Sequence, residues 1–167
     1  MATLHHSILL RRITLLSGAP LESFAGMTPV EIPRVRTDVQ VMFFDTDCGG
    51  VVHNIAYLRF IEIARTLLAE RLGLKLTEMV ATQRYPVVVR TEIDYRRAAK
   101  LGDHLAVEGW LDGLDRVRFW CAFRIAQKDI LIAECRQTLA LIQMPTAKLL
   151  RLPESWDQYR AALSESH

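Results

Sequence analysis

The feature that most constrains the fold of this chain is one long helical pattern with a wide apolar face. Between Ile55 and Leu72 the apolar residues fall on an arc of about 180° when successive residues are turned by about 100°. Asn54 is placed to cap this helix and Gly73 to end it. A helix with so wide an apolar face is expected to lie in the concave side of a curved sheet. The arc comprises Ala56, Tyr57, Phe60, Ile61, Ile63, Ala64, Leu67, Leu68 and Leu72.

The rest of the chain carries the alternation of apolar and polar residues that half-buried strands show. A buried strand is predicted over 37–44, and it ends at the turn-forming run from Asp45 to Gly50. Four alternating runs follow the helix, over 87–95, 105–111, 117–125 and 131–142. The connections between these runs are short, at 101–103, 112–116 and 128–129. We therefore expect consecutive strands to pair as antiparallel hairpins.

This order of elements is that of a single α+β domain. The length of 167 residues agrees with one domain, since a domain commonly has about 150. We assign the domain to residues 34–150, and we assign 151–167 to a short peripheral helix and a tail. Residues 1–33 form an N-terminal extension. A translation start at Met27, or a loosely attached tail, is favoured over a targeting peptide.

Composition and charge exclude several classes of protein. The 21 basic and 19 acidic residues give a net charge of +2, too little for a field that would grip nucleic acid or an anionic membrane. Charges interrupt every apolar run well before the roughly 18 residues that a membrane span needs. Cys48, Cys121 and Cys135 match neither a zinc-ligand spacing nor a disulfide framework. These observations predict a cytoplasmic protein without a structural metal.

Two separated motifs carry a resemblance to a known family. The first is the run VMFFDTDCGGVVHNIAYLRF over 41–60, with Glu62 and Arg65 beyond it. The second comprises residues 93–99 and 102–105. Together they resemble the 4-hydroxybenzoyl-CoA thioesterase family of hotdog-fold proteins.

The resemblance covers about residues 37–144 and implies both a fold and an activity. The fold is the hotdog fold, an antiparallel sheet of about five strands wrapped around one long buried helix. The activity is hydrolysis of acyl-CoA thioesters, with no cofactor beyond the coenzyme A of the substrate. The family also pairs subunits through their sheets, which implies a homodimer or homotetramer with a shared acyl pocket.

Three candidate catalytic residues lie between the first strand and the helix. From the residues alone, Asp47 is best explained as a turn former, but in the family this position holds the carboxylate that attacks the thioester or activates water. The family places the amide that binds the oxyanion near Asn54, which also suits a helix cap. His53 is expected either to orient water or substrate or to have no catalytic role. Many bacterial relatives have Tyr-His where this chain has His53 and Asn54.

Four further residues are predicted to bind substrate. Gly50 allows close approach of the backbone, and Tyr57 is expected to line the core or the pocket. Arg97 and Lys100 are the basic residues that we expect to meet the phosphates of coenzyme A. Arg90 and Arg96 alternate with acidic residues, so ion pairing explains them without a ligand.

Several nearby residues receive structural interpretations, and two other functions stay open. Asp45 is expected to shape the loop, Cys48 to fill it, and Glu62 to pair with Arg59 or Thr66 on the helix surface. The first alternative function is hydration or dehydration of an acyl thioester. The second is a regulatory module that binds acyl-CoA without catalysis, because a fold does not determine a function.

Overall fold

A computed structural model describes residues 30–164 of the chain. The predictions for residues 1–29, including the start at Met27, lie outside the described residues. The strands are β1 (Arg34–Gln40), β2 (Arg84–Tyr95), β3 (His104–Leu114), β4 (Arg118–Gln127), β5 (Ile130–Gln143) and β6 (Lys148–Leu149). The α-helices are α1 (Asn54–Arg71), α2 (Leu76–Thr82) and α3 (Asp157–Ser164), and short 3₁₀ turns span Phe43–Asp45 and Glu154–Trp156.

The five long strands form one antiparallel sheet in the order β1-β3-β4-β5-β2, and β6 pairs with the end of β5. α1 packs against β1 and β3 on the inner side of this sheet. The predicted α+β architecture, with about five antiparallel strands around one long helix, is confirmed. The inner rows predicted for β3, β4 and β5 are also confirmed: the buried side chains include Leu105, Val107, Leu111, Phe119, Cys121, Phe123, Ile125, Ala133, Cys135, Gln137 and Leu139.

The predicted pairing of β2 with β3 is wrong. β1 occupies the place beside β3, with Thr37 opposite Val107, and β2 pairs instead with β5 at the other end of the sheet. The chain crosses between the two positions through 96–103, where the N–H groups of Arg96 and Arg97 both donate to the Ile132 carbonyl. The two later hairpins are confirmed.

The strand predicted over 37–44 ends earlier than expected, at Gln40. Phe43 and Phe44 lie in a 3₁₀ turn with 80% and 66% of their surfaces exposed. The turn forms because the Asp45 carboxylate accepts a hydrogen bond from the Met42 N–H at 2.9 Å. A buried carboxylate therefore redirects the chain where the apolar run alone predicts a continuing strand.

α1 closely matches the predicted helix, with two differences. Its N-cap is His53 and not Asn54, because the His53 Nδ1 accepts a hydrogen bond from the Ala56 N–H at 3.2 Å. Gly73, with φ of +82°, follows the end of the helix as predicted. The buried face is narrower than the predicted arc, since Ile63 and Leu67 are each 38% exposed.

Two other local features differ from the sequence prediction. The segment between α1 and β2, for which the sequence predicts no element, contains the short helix α2. The ladder between β2 and β5 shifts register between Val88 and Arg90, so the strict alternation predicted for β2 is lost. Val88 and Val89 are both exposed along this outer strand.

The predicted C-terminal helix is present, and the turn before it belongs to the core. Trp156 is only 2% exposed, and its indole N–H donates to the Leu72 carbonyl at 2.9 Å. Its ring meets Phe119 edge to face, with centroids 5.1 Å apart. Trp156 thus satisfies a carbonyl at the end of α1 that the helix itself cannot pair.

Gly109 allows the sheet to pack closely at its centre, and we expect Gly109→Ala to destabilise the fold. An added Cβ would lie 2.8 Å from Cδ1 of Phe123, a buried ring with little room to move. Such overpacking should lower the free energy of unfolding by about 1–3 kcal/mol, measured by urea denaturation. Gly113→Ala is the matched control in the same strand, since its Cβ would lie 3.3 Å from Trp120. A loss no larger for Gly109→Ala than for Gly113→Ala would contradict this account.

Candidate active site

Asp45 ties together the two ends of the loop that carries the candidate catalytic residues. Its side chain is 1% exposed, accepts the Met42 N–H and forms an ion pair with Arg59 of α1. Its carbonyl accepts the His53 N–H at 2.9 Å. The loop from Asp45 to His53 is therefore closed at its base and attached to the first turns of α1.

Asp47 lies on the turn within this loop. Its Oδ1 accepts the Gly49 N–H at 2.8 Å, and its carbonyl accepts the Gly50 N–H at 3.0 Å. Gly50 has φ of +72°, a conformation that favours glycine. The Asp47 side chain is exposed, and its Oδ2 makes no hydrogen bond with the part of the chain that the structure describes. The turn role and a chemical role for Asp47 are thus compatible, because each uses a different oxygen.

The start of α1 presents backbone donors beside this loop. The Ala56 N–H is used by the His53 cap, whereas the N–H groups of Asn54 and Ile55 have no acceptor within residues 30–164. Such groups, with the positive end of the helix dipole, attract a negatively charged oxygen. Asn54 itself is exposed and its side chain is not needed for this contribution.

Two tyrosines form the wall of a shallow cavity next to the helix start. The Tyr57 hydroxyl accepts the Ala99 N–H at 3.1 Å, and the Tyr95 hydroxyl donates to the Asn54 carbonyl at 3.2 Å. Their rings lie 5.4 Å apart, and burial raises the pKa of both hydroxyls, so both stay protonated at neutral pH. The cavity has a volume of about 280 Å³ and is lined by Val52, Asn54, Tyr57, Tyr95, Arg96, Arg97 and Ala98.

The structure brings the two predicted phosphate-binding residues to the same end of the molecule. Arg97 lines the cavity, and Lys100 lies opposite Val51 in a short antiparallel bridge. Because the Asp47 N–H donates to the Val51 carbonyl, the backbones of Asp47 and Lys100 flank the same residue. Within residues 30–164 neither basic side chain forms an ion pair.

Other charged residues near the site have partners within the protein. Arg90 pairs with Glu92 at 2.8 Å, and Arg96 pairs with Asp94 and Glu134, as ion pairing along the strand predicts. Glu62 pairs with Arg65 at 3.1 Å and not with Arg59, which is held by Asp45. The expected pairing of Glu62 with Arg59 is therefore wrong.

Two residues at the site were missed from the sequence. Tyr95 was taken only as part of a strand, although it belongs to the second motif of the family resemblance. Arg59 was taken only as a surface residue of the helix. Its partner Asp45 lies 14 residues away, so no short-range sequence pattern predicts the pair. No group of three or more His, Cys, Asp or Glu side chains within residues 30–164 could hold a metal ion.

Comparison with known proteins supports the resemblance. A family model described as the thioesterase-like superfamily matches residues 41–160. The chain is 31% identical to the acyl-CoA thioesterase YbgC of Haemophilus influenzae over 117 residues, which are 70% of this chain and 86% of that protein. It is 28% identical to the 1,4-dihydroxy-2-naphthoyl-CoA hydrolase of Synechococcus elongatus over 116 residues, 68% of this chain and 85% of the relative.

Solved structures show the same fold. A probable thioesterase from Bartonella henselae matches with a TM-score of 0.67 and 26% identity, covering 72% of this chain and 99% of that one. A 1,4-dihydroxy-2-naphthoyl-CoA thioesterase from Synechocystis matches with a TM-score of 0.66 and 25% identity, covering 80% and 98%. None of the helices among residues 30–164 is long and apolar enough to cross a membrane.

The three cysteines should differ sharply in reactivity. Cys48 is exposed on the site loop, whereas burial raises the pKa of Cys121 to about 12 and that of Cys135 to about 11. A pKa so far above the solution pH leaves almost no reactive thiolate, and burial also excludes the reagent. We expect iodoacetamide at pH 8 to modify Cys48 alone in the native protein, as read by peptide mass spectrometry. Unfolding in guanidinium chloride should expose all three, and equal native labelling would contradict the burial.

Proposed function

The chain belongs to the thioesterase-like superfamily and is a thioester hydrolase, and we propose that it hydrolyses a small or medium acyl-CoA with Asp47 as the catalytic carboxylate. The observation that carries the proposal is the position of Asp47, whose Oδ2 forms no hydrogen bond with residues 30–164, on a turn whose base is attached to the first turns of α1. A carboxylate and a set of backbone donors then lie at one end of one helix. That combination suits addition to a carbonyl carbon.

The chemistry can follow two routes. In the first, Asp47 takes a proton from water, and the hydroxide adds to the thioester carbonyl. In the second, Asp47 adds to the carbonyl itself and forms an anhydride that water then hydrolyses. In both routes the C–S bond breaks, the coenzyme A thiolate leaves and takes up a proton, and the acyl group ends as the free acid.

Backbone donors would stabilise the intermediate of either route. The carbonyl oxygen becomes negatively charged as the carbon turns tetrahedral, and it would accept the Asn54 N–H. The His53 Nδ1 is occupied by the cap of α1, which leaves only Nε2 to orient water or substrate. We therefore assign His53 mainly the role of holding the donors of α1 in place.

The remaining predicted residues would bind the substrate. Arg97 and Lys100 would meet the phosphates of coenzyme A, since both are exposed, basic and without an ion pair among the described residues. Gly50 would let the thioester approach the turn, and Tyr57 would form the wall beside the acyl group.

Asp47→Asn tests the catalytic assignment. Asparagine keeps the turn hydrogen bond through its carbonyl oxygen but can act neither as base nor as nucleophile. We expect kcat for thiol release from a panel of acyl-CoAs to fall by about 10²–10⁴-fold. A parallel assay with acyl carrier protein thioesters would identify the carrier.

Asp115→Asn is the matched control for this test. Asp115 makes the same kind of turn, with its Oδ1 accepting the Val117 N–H at 2.7 Å, but it follows the far end of β3. It should retain wild-type kcat. Thiol release by Asp47→Asn at the wild-type rate would refute the role of Asp47. Saturable binding without release by the wild type would favour the regulatory alternative, and reversible loss of an enoyl chromophore without thiol release would favour hydration.

We propose that a second copy of the chain completes the acyl pocket. β2 is an outer strand with no partner beyond it among the described residues, and exposed apolar side chains follow it at Val88 and Val89. On α1, Ile63 and Leu67 are also partly exposed. A homodimer or homotetramer that buries the outer edge of β2 and this part of α1 would cover these side chains.

The three unpaired cysteines agree with a cytoplasmic location.

Light scattering after size exclusion tests this assembly. We expect a mass of two or four chains for the wild type and a lower mass for Ile63→Glu, because a buried carboxylate would oppose the contact. Leu149→Glu is the control, since Leu149 is an exposed apolar residue of β6, which lies on the opposite side of β5 from β2. A wild-type protein that is monomeric under the assay conditions and still hydrolyses acyl-CoA would contradict the shared pocket.

A further inference from the structure

We propose that Arg59 is a positioning residue of the reaction, which acts through Asp45 to hold the Asp47 loop against the start of α1. The inference rests on the proposed function, because it gives Arg59 a part in catalysis only if Asp47 is the catalytic carboxylate. Neither Arg59 nor Asp45 is expected to touch the substrate. Their role is to set the position of Asp47 relative to the Asn54 N–H.

The two charges of the pair are buried to very different extents. The Asp45 side chain is 1% exposed, whereas the Arg59 side chain is 47% exposed. A carboxylate without water needs compensation from the protein, since an unpaired buried charge is strongly unfavourable. Arg59 supplies the only cation paired with Asp45 among the described residues, and the Met42 N–H supplies a second donor. Arg59 therefore supplies the charge compensation that lets the Asp45 carboxylate lie inside the protein.

Arg59 is itself oriented by contacts with two aromatic rings. Its guanidinium carbon lies 5.0 Å from the centroid of the Phe44 ring and 5.1 Å from that of Phe60. A planar guanidinium suits such contacts with aromatic rings, and a lysine ammonium cannot reproduce its fork of donors. Phe44 belongs to the 3₁₀ turn and Phe60 to α1, so the arginine also links those two elements.

Asp45 lies at the base of the loop that carries Asp47. Asp45 precedes Asp47 by two residues, and its carbonyl accepts the N–H of His53, the residue that caps α1. Without Arg59 the buried Asp45 carboxylate would lose its cationic partner, and we expect it to move toward water. That movement alters the base of the loop, and a shift of about 1 Å at reacting groups can cost about 10²-fold in rate.

Arg136 offers a closely matched control. It is 49% exposed, pairs with Asp112 at 2.7 Å and stacks over the Trp120 ring at 5.5 Å. It differs in two respects: Asp112 is 29% exposed, and the pair lies on the outer face of the sheet, away from the Asp47 loop. Arg136→Met thus removes an arginine with similar contacts but no connection to the site.

The experiment compares Arg59→Met, Arg59→Lys and Arg136→Met in the full-length protein, with acyl-CoA as substrate. We expect Arg59→Met to lower kcat by about 10²-fold with KM changed by no more than about threefold, because the substrate contacts remain. Arg59→Lys should recover part of the loss. Arg136→Met should keep wild-type kcat.

A second experiment uses Arg59→Ala. Added methylguanidinium should raise its kcat, which a purely structural loss would not allow.

If Arg59→Met fails to fold, Asp45→Asn still tests the ion pair. It removes the pair from the other side, and a neutral amide needs no cation. Arg59→Met and Asp45→Asn should have non-additive effects, with the double variant no slower than the slower single variant. Wild-type kcat in the Arg59 variants, or fully additive losses, would overturn the positioning role. Failure of the proposed function is distinguishable, since it would appear as an inactive wild type or an active Asp47→Asn.

Discussion

The structure depends on the burial of the inner face of α1 against the curled sheet. Ile61, Ala64 and Leu68 have no exposed surface, and a sheet can cover a face of this width only if it curves around the helix. At the centre of the sheet, the absence of a side chain at Gly109 lets the Phe123 ring pack closely against the neighbouring strand. Once α1 is fixed in the core, both of its ends are fixed as well. Trp156 closes one end, and the candidate active site forms at the other.

The candidate site is assembled by the chain crossing that the sequence analysis did not predict. Because β2 lies at the edge opposite β1, the chain crosses the sheet on its way to β3, and on this path the Ala99 N–H donates to the Tyr57 hydroxyl near the start of α1. This crossing carries Arg97 and Lys100, and it pairs with the loop through Val51 and Val52. A hairpin between β2 and β3 would have left these basic residues in an ordinary turn. The topology of the sheet, and not the spacing of the residues, brings them to the same end of the molecule as Asp47.

The ion pairs of the protein are of two kinds. Pairs such as Arg36 with Glu108 and Arg90 with Glu92 have both side chains substantially exposed, and solvent and salt weaken them. The pair of Asp45 with Arg59 differs because water does not reach the carboxylate. Its contribution is to the geometry of the loop more than to total stability, since burying the charge offsets much of the attraction. The burial of its partner thus distinguishes Arg59, on which the proposed site depends, from the arginines of exposed pairs.

The sequence by itself determined the elements whose signals are local: the long helix ended by Gly73, the inner rows of β3 to β5, and the loop that holds Asp47. Periodicity and turn chemistry act within a few residues, so they can be read without the fold. Only the tertiary structure decided which strand lies beside β3, that His53 and not Asn54 caps α1, and that Asp45 pairs with Arg59. Strand neighbours and buried charge pairs are chosen by competition among distant segments for the same interior space. The pattern within one segment therefore does not predict which distant segment it will contact.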